Sequence, residues 1–146
     1  MHKKLKIILA AIAYMIIAQI INTASAMMTM NYYLDPNYFA VWSKVMMPTA
    51  GPPPIEFTLY SIVFVFITGL IYSFVYSKAM VLFKTKSTVK KGLKYGFVLF
   101  LLAGIPFFFS MYLMINLPLE LLLSWLVVDG LLVYLIGGIA IAKIMK

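Results

Sequence analysis

The sequence predicts an all-α polytopic membrane protein: four transmembrane helices in an antiparallel bundle, with a short interfacial helix at one end. Three observations carry the prediction. The chain is 64% hydrophobic and only 11% charged, whereas soluble domains are about 45–50% apolar and about 25% charged. Apolar runs of spanning length recur four times. The lysines, finally, are gathered at one set of run ends, which marks a single membrane domain over 1–146 rather than a soluble core.

The first run covers 7–26 and follows a basic start with Lys3, Lys4 and Lys6. About 20 apolar residues suffice to cross ~30 Å of hydrocarbon, and only a helix satisfies its own backbone there. This run has a rival reading as a secretory signal, because "TASA" (Thr23 to Ala26) ends it like a cleavage site. It is long for a signal peptide, so a retained span is the expectation.

An outer segment, 27–56, follows. Asp35 as N-cap and Pro36 at the first position open an interfacial helix over about 35–47. Tyr38, Trp42 and Val45 recur there at i, i+4 and i+7, and Trp and Tyr favour the membrane–water interface. Lys44 should face water. Met27, Met28, Met30, Met46 and Met47 gather in this segment. Thioethers can bind Cu(I), but without histidine or cysteine beside them they read as apolar filler.

The second helix spans about 57–77 after "GPPP", and the cytoplasmic loop 78–94 carries six lysines. The third spans about 95–116, and "NLP" (Asn116 to Pro118) turns the chain into the fourth, 119–142. Eleven of the 12 lysines fall at the termini or in the 78–94 loop, with Lys44 alone opposite. That bias places both termini in the cytoplasm of a multi-pass protein of the cell (inner) membrane. It also accounts for the basic balance without nucleic acid. The two hairpins read as weak copies, with "TGLI" (Thr68 to Ile71) matching "DGLL" (Asp129 to Leu132).

Candidate site residues follow from depth. At ~1.5 Å per residue, Asp129 lies about 21 Å in from Lys143. Gln19, Thr68 and Pro106 lie at similar counts from Lys6, Lys78 and Lys94. Pro106 also frees the carbonyl of Leu102. A carboxyl at mid-membrane costs ~2.5–3.5 kcal/mol on insertion scales and normally faces the bundle interior. Asp129 should therefore meet Gln19, Thr68 or the freed carbonyl. Three meanings stay open: interhelical glue, a proton- or cation-coupled site, or a polar anchor for a ligand or quinone. Glu56 and Glu120 each occupy a helix's first turn, where they complement the macrodipole or form a paired outer carboxylate site. Gly92, Gly96 and Gly104 on the third helix, Gly69 on the second and Gly138 on the fourth offer close packing, within the chain or between copies.

No cysteine is present and the only histidine is His2, in the basic terminus. Disulfides, iron–sulfur ligation and an intramembrane haem ligand are therefore not expected, and neither is any other cofactor. Nucleophile–base constellations are too sparse for an enzyme. The expected partners are the lipid bilayer and a membrane-protein partner or second copy. The outer "Y-x-D-P…W" (Tyr33 to Trp42) and the second half, "GLKYGFVLFLLAGIP…DGLL…GG", resemble small four-helix bacterial membrane families labelled only as domains of unknown function. The resemblance implies an architecture and no catalytic residues. The role to expect is non-enzymatic: an accessory or assembly subunit of a membrane complex. The alternative is a small oligomeric transporter or channel with a proton- or cation-coupled site at Asp129.

Overall fold

A computed structural model describes residues 2–49 and 51–146; Ala50, within the expected 27–56 segment, lies outside the described residues. The described chain is all-helical. Four helices, Lys3–Met28, Ile55–Leu82, Thr88–Met114 and Leu119–Met145, are long and apolar enough to cross a membrane. They form the four spans of a bundle. Each runs past the uncharged stretch that marks it at its lysine-rich end, because the charge boundary locates the hydrocarbon edge and not the last helical turn. At the cap end the third stops at Met114, short of the expected 116, where Ile115 turns extended ahead of Pro118. Lys3, Lys4, Lys6 and Lys143 are helical, which their long apolar stems permit at an interface.

The spans pack in the order second, first, fourth, third. The first lies against both the second and the fourth, and the third lies against the fourth. Small residues make these contacts close. A β-carbon added at Gly138 would lie 2.5 Å from the Gly92 carbonyl oxygen and 2.9 Å from Gly96 Cα. At Gly69 it would lie 2.9 Å from the Ala11 carbonyl oxygen. The glycine faces are therefore used within the chain, between the hairpin partners. Ala10, Ala11, Ala18, Ile141 and Ala142 are fully or almost fully buried along the first and fourth spans. The second and third spans share no comparable face. They meet through aromatic side chains near the lysine-rich end that holds both termini. There the Tyr95 hydroxyl donates to the Tyr72 carbonyl at 2.6 Å, and the Tyr76 and Tyr95 rings meet edge to face at 5.0 Å.

Two spans leave regular α geometry. Phe100–Gly104 in the third and Trp125–Leu132 in the fourth are π-helical. Pro106 stands two residues beyond the first of these. A proline lacks the N–H and crowds the carbonyl four residues back, and a wider turn relieves both. The two π stretches face each other, and the Phe100 ring packs on Gly104 and Gly130. The hairpins thus differ where a repeat would align them: Gly69 is pressed on a neighbouring backbone, whereas Gly130 lies in a π stretch.

The cap at the other end departs from the expected 35–47 helix. Asp35 does cap its start, its carboxylate accepting from the Asn37 N–H at 2.9 Å with Pro36 at the first position, but the element is a 3-10 helix, Pro36–Val41. Trp42 is extended, and a turn follows in which the Ser43 hydroxyl accepts from the Met46 N–H at 3.1 Å. Such a local side-chain bond competes with helix continuation, and Met47 precedes a proline, which disfavours helical backbone. The i, i+4, i+7 face is broken as a result. Val45 is 53% exposed, whereas Met47 is buried.

Candidate functional site

Between the splayed halves of the bundle lies a cavity of about 740 Å³. Its walls come from all four spans: Gln19, Asn22 and Ala26 of the first, Phe57, Thr58 and Ser61 of the second, Phe107, Phe108 and Met111 of the third, and Trp125, Asp129 and Tyr134 of the fourth. The cap adds Met30, Tyr33, Met46 and Pro53 to its lining, beside Met27 at the end of the first span. Toward the lysine-rich end it stops at aromatic rings. Tyr134 and Tyr14 each pack on Tyr72, with centroids 5.9 and 5.5 Å away.

Asp129 is half-buried in this wall and points inward. Its partners are not the expected ones. The Ser25 hydroxyl donates to Asp129 Oδ2 at 3.0 Å. The Asn22 amide nitrogen, in the orientation its surroundings require, donates to Asp129 Oδ1 and to the Ala18 carbonyl, both at 3.2 Å. Each carboxylate oxygen thus faces a donor from the first span. Gln19 shares the cavity but gives its amide to the Ser61 hydroxyl at 2.9 Å, linking the first two spans. The Thr68 hydroxyl bonds back to the Phe64 carbonyl of its own helix at 2.9 Å, and Pro106 is exposed. Neither lines the cavity. Glu56 and Glu120 are exposed in the first turns of their helices, outside the cavity wall.

An aromatic group joins the cap to the site. The Trp125 indole N–H donates to the Tyr33 hydroxyl at 3.1 Å. The Tyr33 ring lies 4.9 Å from Trp42, which in turn lies 6.2 Å from Trp125. Burial pushes the Tyr33 hydroxyl above its ordinary pKa, so it stays neutral as an acceptor. The Trp42 N–H, by contrast, is buried without a partner among the described residues.

Asn22 and Ser25 are the site residues that depth counting misses. The signal was available: Gln19, Asn22, Thr23 and Ala26 follow i, i+3, i+4, i+7 and trace one helical stripe. "TASA" invites a cleavage-site reading that hides it. Comparisons with protein-family models, curated proteins and solved structures give no match to this chain, so the site has to be read from its own chemistry.

Proposed function

We propose that this is a non-enzymatic protein of the cell membrane, with both termini cytoplasmic and the cap outside, that binds an amphipathic small molecule at Asp129. The observation that carries the reading is the cavity itself. Packed bundles fill their interiors and leave few voids larger than a water molecule, yet here about 740 Å³ stays open around one intramembrane carboxylate. Concave, mostly apolar space with a few converging polar groups is the usual form of a small-molecule site. An intramembrane ionisable side chain that faces such a space is the usual mark of function. The lysine bias supports the orientation, eleven of 12 lysines lying at one end. A role as an accessory subunit would draw on small-residue faces for a partner helix, and those faces are occupied within the chain.

The chain has two tryptophans, so Trp42→Phe leaves Trp125, in the cavity wall, as the sole one. In nanodiscs, a brominated dodecanol should quench its fluorescence saturably. Ala26→Phe, which adds bulk to the wall, should leave only the linear quenching of probe dissolved in lipid. Linear quenching in both proteins would refute the reading.

A further inference from the structure

Building on the ligand-binding reading of the cavity, we propose that it is selective for a lipophilic organic cation, which reaches it sideways from the membrane between the second and third spans. The charge balance of the walls comes first. Among the described residues, Asp129 is the only charged side chain lining the cavity, and no basic one lines it. Its two protein partners, Ser25 and Asn22, are neutral donors. They orient the carboxylate and leave its charge without a counter-charge. Ionisable groups inside a membrane are normally paired with one another. A ligand that brings a positive charge supplies the missing partner, and an anionic one would be repelled.

The second observation is the aromatic wall beside the carboxylate. Trp125 stands one helical turn before Asp129, and Tyr33 is tied to it through the indole N–H. Indole and phenol faces attract ammonium and similar cations, most strongly where water is excluded. A carboxylate in a wall that also carries an indole and a phenol suits a bulky, weakly hydrated cation better than a metal ion, for which the described residues hold no cluster of three or more His, Cys, Asp or Glu side chains.

The third is access. Phe57 and Thr58 of the second span and Phe107 and Phe108 of the third line the same space, yet these spans share no packed face. Their tyrosine contact is confined to the other end. The opening is therefore lateral and flanked by exposed apolar side chains such as Phe107. Such a rim admits a molecule already dissolved in lipid and disfavours a hydrated solute.

Tetraphenylphosphonium and tetraphenylborate, alike in shape and opposite in charge, provide the test. Their binding to the whole protein in phosphatidylcholine nanodiscs is measured by equilibrium dialysis against protein-free nanodiscs. The cation should bind at least about tenfold more tightly, since the Asp129 carboxylate attracts it and repels the anion. Asp129→Asn should abolish that preference, and Trp125→Leu should reduce it at least about twofold. Equal binding of the two ions by the unaltered protein would overturn the proposal without recourse to a variant that could fail to fold. A preference that survives in Asp129→Asn would overturn it too. Saturable quenching by the neutral brominated alcohol separates the two levels. If it persists while ion selectivity fails, the cavity reading stands and only the cation is wrong.

Discussion

Gly138→Ala should be among the most damaging single-methyl changes in this chain. The added carbon would lie 2.5 Å from the Gly92 carbonyl oxygen and 2.9 Å from both Gly96 Cα and Gly96 N, against an ordinary contact of 3.4–4 Å. All three obstacles are backbone, so no rotamer change makes room. The third and fourth spans would have to separate by about 0.9 Å at that point (3.4 minus 2.5 Å). Overpacking of this kind costs about 1–3 kcal/mol. The matched control is Gly130→Ala, whose nearest neighbours are the Trp125 carbonyl oxygen at 3.3 Å and the movable Phe100 ring at 3.5 Å. Unfolding in mixed micelles by stepwise addition of sodium dodecyl sulfate, followed by tryptophan fluorescence, gives both midpoints. Gly138→Ala should unfold at clearly lower detergent fraction and Gly130→Ala close to the unaltered protein. If Gly130→Ala proves the costlier change, the glycine contact is not what holds the second hairpin.

Three further outcomes are expected. Asp129→Leu should destabilise the bundle by about 1 kcal/mol or more in the same titration, because it strands the Ser25 and Asn22 donors, whereas Asp129→Asn keeps polar contact with them and should fold nearly normally. Trp42→Phe should be neutral or stabilising, since it removes a buried N–H with no partner among the described residues; Trp125→Phe should cost about 0.5–1.5 kcal/mol, the worth of its bond to Tyr33. For orientation, a cysteine at Thr49 should react with an impermeant maleimide added outside intact cells and one at Ser87 only after permeabilisation; the reverse pattern would overturn the lysine argument.

The four spans and their bundle were legible because the bilayer leaves few choices: an apolar run of that length has to be helical and has to cross. The partners of Asp129 were not, and the reason is one of register. Counting inward from Lys143 and from Lys6 sets Asp129 level with Gln19, as though those two lysines stood at one height. In the structure the Lys6 ammonium donates to the carbonyl oxygen of Lys146, so residue 6 pairs with 146 and not with Lys143. Asp129 lies 17 residues from 146, and 17 residues beyond 6 is 23, between Asn22 and Ser25, where its partners are found. The cap failed for another reason. Periodicity at Tyr38, Trp42 and Val45 is a helical signal, but the Ser43 turn and the Pro48 boundary act locally and override it. The π stretches leave no pattern in hydropathy; Pro106 alone hinted at one of them.

What makes a cavity of this bundle is an uneven supply of small residues. Gly92, Gly96 and Gly138 draw the third span onto the fourth, and Gly69 draws the second onto Ala11 of the first. Between the first and fourth, Gly137 leaves room for the Tyr14 ring, which a β-carbon there would meet at 2.5 Å, while Ala10, Ala11, Ala18 and Ala142 keep those helices close. Three of the four sides can therefore close. The remaining side pairs the second span with the third, and along its cap half it presents Phe57, Phe107 and Phe108 where a close approach would need glycine or alanine. Helices in lipid associate through close packing, since lipid tails are as apolar as their side chains; two bulky faces have little reason to meet. At the other end Tyr72, Tyr76 and Tyr95 hold the same two spans through rings and one hydrogen bond. Pinned at one end and unpacked at the other, the pair splays, and the space opens at the depth where Asp129, Asn22 and Ser25 stand. The carboxylate and the gap are thus consequences of one arrangement: the side on which the bundle does not close is the side from which Asp129 can be reached.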